Sequence, residues 1–250
     1  MSSKKEKKNM NQTIIDGNPS PPGSPKNSKN NMYAHSQINY QGLEYYEYKI
    51  ILLGEAGVGK TSIMYRFTLD KFKNTYLSTI GVEYKARELN FSNSKVNLKI
   101  WDTAGQERFR SITKQYFKNS DGVFLIFDLC NKDTIKKLNV WMKDIAENAG
   151  ENCIIFLIGN KMDVKTRDIS ISEEAKEFAD NKNIDYYEVS AKTGNGVANI
   201  FEKIAKKLVE KTKIKNKNEE KKFKRNLNIE DYTKEERGKV EQNRSSYKCC

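Results

Sequence analysis

A glycine-rich segment, GEAGVGKT at residues 54–61, constrains this chain more than any other feature. It fits the pattern G-x-x-x-x-G-K-[ST] and stands between a short apolar run, YKIILL (48–53), and a stretch with helical character (60–68). The glycines allow backbone conformations that turn several N–H groups toward one point, and the helix that follows adds its positive N-terminal end. The segment therefore predicts a phosphate-binding loop at the end of a buried strand.

Two side chains of this loop have specific predicted tasks. Lys60 brings a positive charge to the β- and γ-phosphates of a nucleotide and is a candidate catalytic residue, and Thr61 places a hydroxyl group on Mg²⁺. The pattern thus predicts a nucleoside triphosphate with Mg²⁺ as its ligands. The residues expected to line the phosphates are Gly54, Ala56, Gly57, Val58, Gly59, Lys60, Thr61 and Ser62.

A second segment, DTAGQE (102–107), directly follows the alternating run VNLKIW. A carboxylate at the end of a strand can hold a metal ion, so Asp102 is a candidate metal ligand. Gly105 lets a backbone N–H approach the γ-phosphate, and the Gln106 side chain can orient an attacking water molecule. The segment predicts the hydrolytic part of the site, with Gln106 as its catalytic residue.

Two further segments, NKMD (160–163) and SAK (190–192), come after the apolar run CIIFLIG and the run YYEVS. A carboxylate such as that of Asp163 can accept two hydrogen bonds from guanine, a pair of donors that adenine lacks. Lys161 and Lys192 can lay their aliphatic stems against the base. Ligands bind open α/β sheets at the carboxyl ends of strands, so Asn160, Lys161, Asp163, Ser190, Ala191 and Lys192 are predicted to bind guanine, in GTP or GDP.

Apolar runs and helical stretches alternate between residues 47 and 210. The pattern predicts an α/β fold of the P-loop NTPase type: a six-stranded, mostly parallel sheet with one antiparallel edge strand, and helices on both faces. The predicted strands cover 48–53, 82–91, 96–101, 123–129, 153–159 and 186–190, and the predicted helices 60–68, 133–149, 172–182 and 197–210. Asp133 and Ser172 are the expected N-caps of two of these helices.

Both ends of the chain differ from this middle. Residues 1–46 contain all 4 prolines and few apolar residues, which predicts a disordered extension; its PPGSP segment is either a simple solvated stretch or a ligand for an SH3 or WW domain. Residues 211–250 hold 13 basic and 7 acidic residues and lose the apolar stripe, which predicts a flexible tail. Half of the net charge of +12 lies there, which argues against a basic nucleic-acid-binding domain.

The motifs GEAGVGKT, TIG, WDTAGQE, NKMD and SAK, in this order and spacing, resemble those of the Ras superfamily of small GTPases. The segments STIGVEYKAR (78–87) and KIWDTAGQERFRSIT (99–113), with a Cys-Cys pair at 249–250, resemble the Rab branch. The resemblance implies that Thr79 binds Mg²⁺ and the γ-phosphate, that Phe72 packs against the guanine, and that residues of about 70–82 and 103–118 are switches I and II.

The resemblance also implies a mechanism and a set of partners. Hydrolysis would be slow without a GTPase-activating protein, because no arginine of the site loops is placed as a finger. The chain is expected to be a monomer. It would bind an exchange factor, effectors that contact the two switches, a prenylation escort protein and a GDP-dissociation inhibitor. The alternative is a nucleotide-binding module that hydrolyses little GTP. Ala56 stands where Ras proteins carry glycine, which leaves the rate of assisted hydrolysis open.

Cys249 and Cys250 are the expected lipidation sites, since the resemblance implies one geranylgeranyl group on each cysteine. Two lipid chains give stable anchoring where one does not. The chain would then act on the cytoplasmic face of an endomembrane or the plasma membrane and cycle with the cytosol, in vesicle-mediated transport. The basic run 211–225 either adds attraction to anionic lipid or is a solvated linker. Trp101, Phe109 and Tyr116 form either an exposed effector patch or packing between sheet and switch.

Overall fold

A computed structural model of the chain describes residues 36–38, 43–74, 79, 81–103 and 110–246. Strands and helices alternate along these residues. The strands are β1 (Ser36–Ile38), β2 (Glu44–Leu53), β3 (Val82–Phe91), β4 (Ser94–Thr103), β5 (Gly122–Asp128), β6 (Ile154–Asn160) and β7 (Asp185–Glu188). The helices are α1 (Lys60–Leu69), α2 (Arg110–Phe117), α3 (Lys132–Lys136), α4 (Leu138–Asn148), α5 (Ile169–Lys182) and α6 (Val197–Ser246).

The main strands form one sheet in the order β3-β4-β2-β5-β6-β7. The pairs β2–β4, β2–β5, β5–β6 and β6–β7 are parallel, and the hairpin β3–β4 is antiparallel. Parallel neighbours need a crossover connection, which helices supply here, whereas the short turn after Phe91 allows only an antiparallel return. The predicted six-stranded, mostly parallel sheet with one antiparallel edge strand is thus confirmed for β2–β7.

The start of the sheet differs from the prediction. β2 begins at Glu44 rather than at residue 48, because Tyr46 and Tyr48 alternate with polar neighbours and are buried even though EYYEYK is not an apolar run. β5 joins β2 only from Ile50 onward. The free edge at residues 44–46 is instead paired by β1, an antiparallel strand that the sequence analysis did not predict.

Helices cover the sheet on both faces, as predicted. On one face α2, α3, α4 and α5 contribute to a core with strand residues; it contains Ile51, Leu53, Val123, Leu125, Phe127, Leu157, Phe117, Ile135, Leu138, Trp141, Ile145, Ile171 and Ala175. On the other face, the Phe201 ring of α6 lies 3.8 Å from the ring of Phe67 in α1 and 4.8 Å from that of Phe124 in β5. Successive strand residues point to opposite faces, which gives these two separate cores.

Several helix boundaries correct the sequence prediction. The stretch 133–149 is two helices, α3 and α4; buried apolar residues recur at helical spacing on both sides of Lys137, so the pattern could not reveal the break. The N-cap of α3 is Asn131 and not Asp133. The N-cap of α5 is Asp168 and not Ser172, because the Asp168 side chain accepts a hydrogen bond from the backbone N–H of Ser170 and the helix already buries Ile171 in its first turn.

The last helix continues past its predicted end at residue 210, since α6 extends to Ser246. The chain divides into two units, residues 1–208 and 209–250. Among the side chains of α6 whose burial is described, the buried apolar stripe ends at Leu208, and the sequence pattern detected the loss of this stripe. No helix among the described residues has the length and apolar character that a membrane span requires.

Candidate functional site

The loop between β2 and α1 depends on two glycines. A Cβ atom on Gly54 would lie 2.0 Å from the backbone oxygen of Ile126, and one on Gly59 would lie 2.3 Å from the side-chain nitrogen of Asn160. Both residues also have positive φ angles, +139° and +96°, which residues with side chains rarely adopt. The loop can therefore lie this close to β5 and β6 only with glycine at these two positions.

Lys60, the first residue of α1, is buried under this loop. Its ammonium group donates hydrogen bonds to the backbone oxygens of Gly54 and Glu55, each at 3.0 Å. Burial lowers the pKa of Lys60 to about 8, against the opposing attraction of Asp102 and Glu55. The side chain is a cation held within the loop and little exposed to water, which strengthens its attraction for a phosphate group.

Three oxygen-bearing side chains converge beside Lys60. The Thr61 hydroxyl donates to Oδ2 of Asp102 at 2.5 Å, and it lies 2.9 Å from the hydroxyl of Thr79. Thr79 is 3.5 Å from the same carboxylate oxygen. These residues come from α1, from the end of β4 and from the segment before β3. The sequence prediction that Thr61, Thr79 and Asp102 share a site agrees with this geometry.

The chemistry of this cluster fits a magnesium ion. Among the described residues, Oδ1 of Asp102 is buried and has no hydrogen-bond partner. Burial raises the pKa of Asp102 to about 6, although Lys60 and the Thr61 hydroxyl lower it. A buried carboxylate oxygen without a partner, next to two hydroxyl groups, is a set of hard oxygen donors, and Mg²⁺ prefers such donors.

The predicted hydrolytic residues Gly105 and Gln106 lie outside the described residues, as does Phe109. The described structure resumes with α2, within the predicted switch II. Lys114 of α2 pairs with the carboxylate of Asp144 in α4 at 3.2 Å. The roles assigned to Gly105 and Gln106 stay predictions.

The predicted guanine-binding segments meet at the ends of β6 and β7. The Ser190 hydroxyl donates to Oδ1 of Asp163 at 2.6 Å, and it accepts a hydrogen bond from the backbone N–H of Thr193 at 3.0 Å. The Lys161 ammonium is 2.6 Å from Oδ2 of Asp128, at the end of β5. Asp128 was missed by the sequence analysis, although a carboxylate at the end of the run VFLIFD was a usable signal.

Asn160 joins the two ends of the site rather than facing outward. Its side-chain N–H donates to the backbone oxygen of Val58 at 2.8 Å, and its side-chain oxygen accepts from the backbone N–H of Ala191 at 3.1 Å. Only 2% of the residue is exposed. The sequence analysis placed Asn160 among the guanine contacts. In the structure its side chain also connects the loop 54–61 to the loop 190–192.

The remaining predicted residues of the base end are less buried. Lys192 is exposed and Phe72 is half-buried, so the ring of Phe72 and the aliphatic stem of Lys192 are accessible to a ligand. The backbone oxygens of Ala191 and Lys192 accept hydrogen bonds from Arg66 of α1. Sequence analysis missed Arg66, because an arginine on a helix carries no signal of its own.

The predicted aromatic cluster is present in part. The Trp101 ring lies 5.5 Å from that of Tyr116 and 5.2 Å from that of Tyr84. Trp101 and Tyr116 are partly buried and pack against the core of the sheet. This contact supports the packing interpretation for these two residues and leaves the effector patch a prediction.

Comparison with known proteins agrees with this site. The model of the Ras family matches residues 49–210. The Ras-related protein Rab-1 of Theileria annulata is 40% identical over 167 residues, which are 66% of this chain and 76% of that protein. Rab-13 of Mesocricetus auratus is 37% identical over 66% of this chain and 81% of its own length. Rab-10 of Diplobatis ommata is 34% identical over 67% of this chain and 84% of its own length. The chain belongs to the Ras family and is of the Rab type.

Membership makes the chain a small GTPase, an enzyme that binds guanine nucleotides and hydrolyses GTP. The family match begins within β2, ends in the first third of α6 and includes each described site residue from Gly54 to Lys192. It leaves out the first 48 residues and the last 40, where the sequence predicts the two tails.

Proposed function

We propose that the chain is a Mg²⁺-dependent GTPase that acts as a membrane-anchored switch in vesicle-mediated transport. The observation that carries the proposal is the cluster of Thr61, Thr79 and Asp102 beside the buried Lys60. The names of the Rab relatives support the cellular process.

At the phosphate end, the amides of the loop 54–62 and the Lys60 ammonium bind the phosphate oxygens and hold them in place. Thr61, Thr79 and Asp102 would hold Mg²⁺, and the ion would supply positive charge against the phosphates. Asp102 remains ionised near neutral pH, because its pKa of about 6 lies below that value. Its unpaired Oδ1 would then be available to hold the ion.

For hydrolysis, Gln106 orients a water molecule for in-line attack on the γ-phosphorus, while Lys60 and the loop amides stabilise the charge on the transferred group. Bond formation to the water oxygen accompanies cleavage of the bond to the β-phosphate oxygen, and the products are GDP and inorganic phosphate. Assisted hydrolysis needs a GTPase-activating protein to supply further positive charge.

The switch depends on residues that sense the γ-phosphate. Thr79 and Gly105 hold switch I (about 70–82) and switch II (about 103–118) in one arrangement, and hydrolysis releases them. Effectors bind the GTP form through these segments. An exchange factor restores the GTP form. A GDP-dissociation inhibitor and a prenylation escort protein bind the lipid-modified chain.

Membrane attachment through geranylgeranylated Cys249 and Cys250 belongs to the same proposal and concerns residues outside the described structure. Attachment would place the GTPase on the cytoplasmic face of an organelle or the plasma membrane. Mass spectrometry of the chain from cells should find both thiols modified, and a Cys249→Ser, Cys250→Ser double variant should redistribute to the cytosol.

The central test is single-turnover hydrolysis of GTP by the full chain and by its Gln106→Leu variant, with and without Mg²⁺. We expect slow hydrolysis by the parent chain, a further loss of at least about tenfold in the variant, and no measurable turnover in EDTA. Equal rates for the two proteins would refute the role of Gln106. Tight GTP binding without turnover in either protein would favour the alternative, a binding module.

A further inference from the structure

Arg66, on the helix that follows the phosphate loop, binds the loop at the other end of the site. Its Nε donates to the backbone oxygen of Ala191 at 2.9 Å, and one terminal nitrogen donates to that of Lys192 at 2.8 Å. The other terminal nitrogen donates to the backbone oxygen of Asp70 at 3.1 Å and to its carboxylate at 2.8 Å. One side chain thus joins α1 and its C-cap, Asp70, to a loop that lies 125 residues further along the chain.

The geometry suits an arginine at this position. The guanidinium group presents its donors in a flat, rigid fork, so two successive backbone oxygens can be bound by neighbouring nitrogens. A lysine ammonium can bind two successive backbone oxygens, as Lys60 does at Gly54 and Glu55, but it offers one nitrogen in place of the three with which Arg66 binds the loop and Asp70. The side chain of Arg66 is only 16% exposed, whereas that of Asp70 is 86% exposed. The contact to Ala191 is the most buried of the network, and the contacts to Lys192 and Asp70 are exposed.

The loop that Arg66 binds is the one that fixes Asp163. Ser190 immediately precedes Ala191, and its hydroxyl is hydrogen-bonded to the Asp163 carboxylate. A loop free to shift at Ala191 and Lys192 would carry Ser190 with it and release one oxygen of that carboxylate. Asp163 is the residue proposed above to distinguish guanine by its ring N–H and 2-amino group.

We propose that Arg66 is a positioning residue for guanine recognition: it holds the loop 190–192 so that Ser190 keeps the Asp163 carboxylate directed at the base. The inference rests on the proposed guanine-binding role of Asp163. It adds a specificity determinant on α1, a helix whose first residues serve the phosphates.

The test measures release rates of GDP and of IDP, which lacks only the 2-amino group, from the full chain and from Arg66→Met. Methionine retains an unbranched stem and removes the donors. We expect GDP release to be roughly tenfold faster in Arg66→Met, because the two lost hydrogen bonds act on the base only through the loop, so only part of their free energy reaches the nucleotide. IDP release should change much less, so the ratio of the IDP rate to the GDP rate should fall.

Two further variants sharpen the result. Arg66→Lys retains the charge but offers one nitrogen in place of three, so we expect a smaller fall in the rate ratio than in Arg66→Met. Arg225→Met removes an exposed arginine and should leave both rates unchanged. Circular dichroism would verify that each variant is folded.

A fall in the rate ratio for both Arg66 variants supports the inference. Equal acceleration of GDP and IDP release would overturn it, since a residue that only stabilises the fold affects both nucleotides alike, and unchanged rates would overturn it as well. If the parent chain itself releases GDP and IDP at the same rate, the guanine role of Asp163 fails, and the inference fails with it.

Discussion

The two ends of the nucleotide site are built in different ways. At the phosphate end, two ionisable groups are buried so deeply that their pKa values move toward neutrality, to about 8 for Lys60 and about 6 for Asp102. At the base end, Asp163, Lys161 and Asn160 already have their hydrogen-bond or ion-pair partners. The phosphate end is poorly solvated until a ligand supplies charge, whereas the base end is organised in advance.

This difference predicts how each end responds to change. Burial without full compensation disfavours the charged forms of Lys60 and Asp102, so a ligand that brings phosphate and Mg²⁺ gains strong attraction there. Preorganised hydrogen bonds at the base end add less attraction, but they select one base over another. Substitutions at the phosphate end should therefore change affinity most, and those at the base end should change selectivity.

The largest effect is expected for Lys60→Met. The substitution removes the cation that meets the phosphates, and loss of such charge-assisted hydrogen bonds costs about 3 kcal/mol, or roughly a hundredfold in GDP affinity. The nucleotide-free protein should unfold with a free energy within about 1 kcal/mol of the parent, because burying the ammonium was itself costly. Equilibrium nucleotide titration and urea denaturation measure the two quantities. Loss of affinity together with a large loss of stability would contradict this account of Lys60.

An intermediate effect is expected for Asn160→Ala, which breaks the connection between the two ends. The variant leaves the backbone oxygen of Val58 and the N–H of Ala191 without their buried partner. Each lost hydrogen bond costs about 1 kcal/mol, so GDP release should be roughly thirtyfold faster.

Release of IDP should accelerate by a similar factor, because Asn160→Ala loosens the phosphate loop as well as the base loop. This outcome separates Asn160 from Arg66, whose loss is expected to act on GDP selectively. Stopped-flow release of fluorescent nucleotides measures both factors. Acceleration confined to GDP would show that Asn160 serves the base end only.

The phosphate end could be predicted from the sequence because its function depends on local chain geometry. The motif around Gly54 and Lys60 is contiguous, and Asp102 stands at the end of a recognisable strand. The six main strands were predicted for the same reason, since each is a short local pattern. The unpredicted strand β1 has no such pattern, because its place depends on a free edge that arises only when β5 starts later than β2.

The contacts that organise the base end could not be predicted, because they join residues far apart in sequence. Arg66 binds backbone oxygens, which every residue possesses, so the identity of Ala191 and Lys192 gives no hint of the contact. Asn160 was predicted to lie in the site, but its two bonds to backbone groups follow from the approach of two loops in three dimensions.

The smallest effect is expected for Asp128→Asn, at the base end. The Lys161 ammonium loses its partner, while the backbone N–H of Cys130, which donates to the other oxygen of Asp128 at 2.9 Å, can retain an acceptor. A partly exposed ion pair contributes about 1 kcal/mol or less, so GDP release should be no more than about fivefold faster. Asp133→Asn is the matched control, because Asp133 pairs with Lys136 where both side chains are more than half exposed. Identical release rates for the two variants would show that the ion pair does not hold Lys161 for the base, and that the base end depends on its hydrogen bonds alone.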